Sequence, residues 1–266
     1  MASTRSCSIS EAKRPRNAGD FDYETGGHGY ALQRRTDPRI ASYVHAALGD
    51  GETVVNVGAG TGSYEPRDRE VTAVEPSAAM RAQRAADLAP AVDAVAEALP
   101  FPDDWFDAAM ATLTIHQWRD LDQGLLEMRR VSRGPVVILT FDAASLSRLW
   151  TAEYLPELIA AEAARYPDID HVRSVLGGTS LVSAVPIPFD CVDGFAEAFY
   201  GRPERMLDPA VRQAQSAWGF VAPDVAEHSV ARLREALASG AWDREHGALR
   251  TQHEYLGSLR LIVANP

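Results

Sequence analysis

The chain has 266 residues and a formal net charge of −11, and its single lysine is Lys13. Such a balance repels phosphate backbones and anionic lipid, so neither nucleic acid nor a membrane is expected as a partner. The hydrophobic fraction of 46% supplies a full core, no apolar run reaches the ~18–20 residues that span a bilayer, and Cys7 and Cys191 alone build neither a disulfide framework nor a zinc site.

Residues 1–20 are polar and basic, lack the apolar stretch of an export signal, and are expected to form a flexible tail in a cytoplasmic protein. From 21 to 266 one domain is expected. Ile40, Val44 and Leu48 recur at helical spacing until Gly49 and Gly51 stop the helix. Short apolar runs follow: ETVVNVG entering a glycine turn, REVTAVEPS ending in an acid and a proline, a weaker AVDAVAE, then FDAAMATLTIH and GPVVILTFD. They have the form of strands buried on both faces, with helical patterns at 78–88 and Leu121–Val131 between them. Strands alternating with helices predict an α/β fold, a mostly parallel sheet with helices on both faces. Beyond 142 the pattern is helical over 145–176, extended in TSLVSAVPIP, helical again over 193–239 with interrupting prolines, and extended in YLGSLRLIVA. The expectation is a Rossmann-like, seven-stranded sheet. Residues 21–142 would form the ligand-binding half, and 143–266 a helical cap and the last two strands.

Ligands of such sheets sit beyond the carboxyl ends of the strands. In VVNVGAGTGS, Gly58, Gly60 and Gly62 let the backbone bend and approach a ligand with no Cβ in the way. The next strand ends at Glu75, nineteen residues after Asn56, where a carboxylate can accept both hydroxyls of a ribose. A glycine turn alone reads equally well as a tight strand–helix connection; the acid beside it favours a nucleoside. A dinucleotide fingerprint needs glycine where Ser63 stands, which argues against a nicotinamide oxidoreductase.

The glycine pattern at 58, 60 and 62, followed in order by AVEPSAAMRAQR, AEALPFPDDWFDAAMATLTIHQW and LLEMRRVSRGPVVILTF, resembles the class I S-adenosylmethionine-dependent methyltransferases of type 11, the ubiquinone-biosynthesis-like small-molecule group, over about residues 21–142. The resemblance implies methyl transfer from S-adenosylmethionine to a small-molecule acceptor, leaving S-adenosylhomocysteine, and antiparallel last strands. It implies that Gly58, Ala59 and Gly60 line the methionine and ribose part within the turn closed by Gly62. Glu75 would take the ribose hydroxyls, Pro76 and Met80 flank the adenine, Ala96 and Glu97 meet the base, and Thr112 border the sulfonium. Tyr30 and Arg34 match a segment that closes over the amino-acid end. Three positions depart from the pattern. Asn56 replaces an acid, although its amide oxygen can still accept from the cofactor's amino group. Val95 replaces an aspartate that pairs with the adenine amine. Pro66 leaves room only for a short helix after the turn.

His116, just past the fourth strand, is the candidate base for an acceptor that must lose a proton; it and Trp118 read otherwise as strand-end packing. Trp118, Trp150, Tyr154 and Phe199 are the candidates for a pocket suited to a hydrophobic or aromatic acceptor, with Phe195, Tyr200 and Trp218 among the same late aromatics, and at helical spacing such residues are usually core. No histidine pair has metal-ligand spacing, so no metal is expected. The alternative function is a protein that binds the same cofactor without transferring a methyl group. A monomer or homodimer is expected.

Overall fold

The computed structural model describes Phe21 and residues 30–266. The expected tail at 1–20 lies outside the described residues. Eight strands form in chain order: Thr53–Val57 (β1), Glu70–Val74 (β2), Ala108–Thr112 (β3), Val136–Phe141 (β4), Thr179–Ala184 (β5), Ile187–Pro188 (β6), Glu254–Tyr255 (β7) and Leu259–Asn265 (β8). Six of them make one sheet in the order β2-β1-β3-β4-β8-β5, and β6 pairs with β7 beside it. Side chains alternate across the sheet with the period of two that a pleated strand imposes. Val54, Ala108, Met110, Val137, Leu139 and Leu261 pack on one face with Ile40 and Val44 of the helix Pro38–Ala47 and with Leu48, which caps it. On the other, Val55, Val57, Ala109, Ala111, Ile138 and Ile262 pack with Leu125, Met128 and Val172 of the helices Leu121–Val131 and Ile169–Leu176. All six residues of β4, at the middle of the sheet, are buried, which is why it reads as an unbroken apolar run.

Two features of the sheet correct the sequence expectation. The sheet has six strands among the described residues, not seven. The segment 91–97 makes a single parallel bridge, Val92 to Val74, after which Ala94 N–H turns back to the Val92 carbonyl and the chain leaves the sheet. Only β8 runs against its neighbours: it is antiparallel to both β4 and β5, so β5 points the same way as the parallel strands. The helical pattern at 78–88 also stops early, at Ala82. Beyond it Arg84 bonds the Ala89 carbonyl and Leu88 packs against Gly62, both of which need an unwound chain.

Residues 143–251 carry most of the remaining helices. Pro203, Pro209 and Pro223 do not break helices but open them, each at a first-turn position where a missing N–H costs nothing. These segments enclose a third apolar cluster around Trp150, Leu158, Phe199, Met206, Leu233 and Trp242. Among the described residues, no helix is long and apolar enough to cross a membrane.

Candidate functional site

Behind β1 the chain bends through Gly58, Gly60 and Gly62, with φ of +70°, +52° and +97°. These are left-handed conformations that cost a residue with a Cβ and not glycine. At Gly58 a Cβ would fall 2.4 Å from Thr114 Oγ1, so the turn can lie against the loop after β3 only if that atom is missing. Glu75, at the end of β2, clamps the bend: its Oε2 accepts from Gly60 N–H and its Oε1 from Ser77 N–H, both at 2.8 Å. Burial raises the pKa of this carboxyl, and the two N–H donors only partly offset it.

No helix follows the glycine turn. The segment winds through turns to Tyr64, itself left-handed at φ +64°, whose buried hydroxyl donates to Asp193 Oδ2 at 2.7 Å. Gly62 faces away from the cleft, for a Cβ there would sit 2.2 Å from Leu88 Cδ1. Asn56 is likewise behind the bend and fully buried, its Nδ2 donating to Glu65 Oε1 at 3.0 Å, its Oδ1 without a hydrogen-bond partner. Both were expected at the ligand, and neither lines the cleft in front of the bend.

In front of the turn opens a cleft of about 810 Å³. Gly58, Ala59, Gly60 and Glu75, where the bend runs, line its floor, and Pro76, Met80, Ala96, Glu97, Thr112 and Tyr30 are among the rest of its lining. Glu97 is also structural: its Oε1 accepts from the N–H groups of Arg119 and Asp120, at the start of the helix Leu121–Val131. Trp118 lines this cleft instead of the acceptor side where it was expected. Its ring lies over Gly124, where a Cβ would come within 2.5 Å of the indole. Thr61, Ser63, Thr114, Gln117 and Arg119 also line the cleft and were missed; they sit in loops with no periodicity to expose them.

A second cavity, of about 580 Å³, adjoins the first, and Tyr30, Leu113 and Gln117 line both. His116 and Arg34 line this second space, and Arg34 does not line the glycine-turn cleft. Its guanidinium is bound by Asp193, donates to the Tyr30 hydroxyl at 3.2 Å and lies 6.0 Å from the Phe195 ring centroid. Burial opposes that charge, but Asp193 outweighs it and leaves the arginine pKa raised. Phe141, Leu146, Leu149, Ile159, Tyr166 and Phe195 supply apolar wall. The imidazole of His116 packs on Tyr166, ring centroids 4.5 Å apart, and its Nε2 lies 3.3 Å from the Gln117 amide nitrogen. Burial, then the nearby charges of Arg165 and Arg34, hold its pKa well below the usual histidine value, so it is neutral at physiological pH. Glu197 also lines the cavity; burial pushes its pKa up to about 7 against the donors of Ser258.

Trp150, Tyr154 and Phe199 line neither cavity. They are 5%, 7% and 3% exposed and belong to the third apolar cluster. Trp150 Nε1 donates to the Tyr200 carbonyl at 2.8 Å and its ring meets Trp242 edge-on, which uses its polar and apolar parts alike. The aromatics that line the second cavity include Phe141, Tyr166 and Phe195, brought together from β4, the end of the helix Pro156–Arg165 and the loop before residue 196.

Residues 55–138 match the family described as a methyltransferase domain. A stretch of 131 residues is 34% identical to malonyl-acyl-carrier protein O-methyltransferase of Erwinia pyrifoliae, over 46% of this chain and 48% of that protein. The chain thus spans about half the length of that curated relative. The crystal structure of a protein described as a methyltransferase from an antibiotic biosynthesis pathway of Anabaena variabilis is 30% identical, covers 87% of this chain and 98% of its own, and superposes with a TM-score of 0.81. A 4+2 cyclase, 18% identical with a TM-score of 0.50 over 85% of this chain and 79% of its own, shares the fold alone.

Proposed function

Because the chain belongs to the class I S-adenosylmethionine-dependent methyltransferases of type 11, we propose that the glycine-turn cleft holds S-adenosylmethionine and the adjoining cavity a small-molecule acceptor of its methyl group. The observation that carries this is the junction: Tyr30, Leu113 and Gln117 face both spaces, so groups seated in the two meet across them. The residues fit the cofactor. The floor is free of Cβ atoms at Gly58 and Gly60, and the Glu75 carboxylate keeps acceptor sites beyond the two its N–H donors fill. Glu75 then takes the ribose hydroxyls, Pro76, Met80, Ala96 and Trp118 enclose the adenine, with Glu97 at its edge, and Thr112 borders the sulfur. Tyr30 closes over the amino-acid end, and Arg34 acts at one remove by holding the Tyr30 hydroxyl. Bound S-adenosylmethionine supplies an electrophilic methyl for in-line displacement, a reaction limited chiefly by alignment.

The acceptor is apolar or aromatic and carries no negative charge. Arg34 is already committed to Asp193, while Glu162 and Glu197 place two acids on the cavity wall. The helices of 143–251 form a cap over it. The protein works in the cytoplasm without nucleic acid, as a monomer or homodimer. Methyl-labelled cofactor offered with a panel of neutral aromatic hydroxyl and amine compounds tests the proposal: label in a product supports it, and tight binding with no transfer across the panel supports the non-methylating alternative. S-adenosylhomocysteine at 100 times its dissociation constant should stabilise the fold by about 2.7 kcal/mol, and NADH should not.

His116 takes the acceptor's proton, and its depressed pKa keeps it unprotonated well below pH 6.5. The sign for stability follows: the unfolded chain binds this proton near pH 6.5 and the folded chain resists it, so stability is lost as pH falls from 6.5 towards the folded value. Thermal melts from pH 7.5 to 5 should fall more steeply for the unaltered chain than for His116→Gln; parallel curves would refute the burial of a neutral imidazole. Trp150→Phe removes a buried N–H···O bond and should cost about 1–2 kcal/mol of stability with unchanged S-adenosylhomocysteine affinity. A loss of affinity would return Trp150 to the site.

A further inference from the structure

In a parallel strand–turn–strand unit, the connecting helix ordinarily fixes the turn from behind. This chain has no helix between β1 and β2, and yet its glycine turn carries three left-handed glycines. A buried fork occupies the place behind it. Arg84 donates to both oxygens of Glu65, at 3.0 and 2.9 Å, and the two side chains are 4% and 1% exposed. The same guanidinium reaches the Gly60 carbonyl at 3.5 Å and the Ala89 carbonyl at 3.0 Å, while Glu65 Oε1 also accepts from Asn56 on β1. Gly62 lies directly against this pair, for a Cβ there would come within 3.3 Å of Arg84 Nη1 and 3.5 Å of Glu65 Oε2. Gly60 is therefore held from two sides, its N–H by Glu75 in front and its carbonyl by Arg84 behind.

We infer that Glu65 and Arg84 are positioning residues for the cofactor: their buried pair, joined to Asn56 and Gly60, replaces the missing helix and holds the glycine turn in its ligand-accepting shape. This rests on the cofactor assignment above. Neither side chain lines the cleft, so the effect passes through the backbone they fix. A planar bidentate fork does this where a point charge would not, since it meets the carboxylate and two carbonyls at once.

The test is S-adenosylhomocysteine binding by calorimetry, with thermal melts alongside. Arg84→Met should raise the dissociation constant at least tenfold. The double variant Glu65→Leu with Arg84→Met leaves no unpaired charge in the interior, which separates positioning from stability. It should fold and still bind at least tenfold more weakly. Arg84→Lys should retain a melting temperature near that of the unaltered chain and bind several-fold more weakly. Binding by the double variant within twofold of the unaltered chain overturns the inference, as does wild-type affinity in Arg84→Lys should the apolar variants fail to fold. Failure of the unaltered chain to bind S-adenosylhomocysteine overturns the cofactor assignment itself.

Discussion

Glu75→Ala weakens S-adenosylhomocysteine binding by about 3 kcal/mol, roughly 150-fold, as measured by calorimetry. Two losses combine. The ribose forfeits hydrogen bonds to a charged group, worth about 1.5–3 kcal/mol in sum. Gly60 and Ser77 lose their shared acceptor, so the bend that forms the floor of the cleft is released at its front side. Glu75→Gln separates the two: an amide oxygen can keep one of the N–H bonds but brings no charge, and about half of the loss should return. Unchanged affinity in the alanine variant would mean that the carboxylate neither meets the ribose nor shapes the turn for it, and would refute its place in the cofactor site.

Gly58→Ala destabilises the fold by about 3–4 kcal/mol. Placing a Cβ on a backbone at φ +70° costs about 1–2 kcal/mol, and the new atom would stand 2.4 Å from Thr114 Oγ1 and 2.8 Å from its Cγ2. Thr114 has little freedom to retreat: it precedes the short turn Ile115–Gln117 and lines the cleft itself. Overpacking at such a site adds about 1–3 kcal/mol. Gly49→Ala is the control, because its φ of +67° imposes the same backbone penalty with nothing within 4 Å of the Cβ. Urea denaturation should place Gly49→Ala about 1–2 kcal/mol below the unaltered chain and Gly58→Ala well below that. Equal losses would show that Thr114 gives way and that the turn is looser than its geometry suggests.

The sheet was legible where burial follows the pleat. In β1, β3 and β4 neighbours such as Val54 and Val55 go to opposite clusters, so both faces are apolar and a short unbroken apolar run in the sequence marks the strand. The helix Leu121–Val131 appears where its spacing predicts, started by Asp120 accepting from Gln123 N–H. AVDAVAE failed because an apolar run does not disclose whether a partner edge continues beside it; beyond Val92 none does. In the cleft, the motif-borne positions from Gly58 to Thr112 largely came together, since Gly58, Glu75 and Thr112 sit at strand ends whose order the motifs fix and the others follow closely on them. Distant partners did not. Nothing near Glu65 in the sequence points to Arg84, nor near Arg34 to Asp193, because those pairings are made by the fold. Spacing could not sort the aromatics for a related reason: Trp150 and Phe195 both follow β4, and only packing decides that the first faces a core and the second a cavity.

Tyr30, Leu113 and Gln117 line both chambers, and this binds the two thermodynamically. Any molecule that shifts those three groups from one side changes the contour met from the other, and linkage demands that the influence be mutual. A compound that tightens the spent nucleoside tenfold is itself tightened tenfold by it. On the proposed function, acceptor analogues whose coupling to the spent nucleoside is favourable are best sought in the presence of S-adenosylhomocysteine.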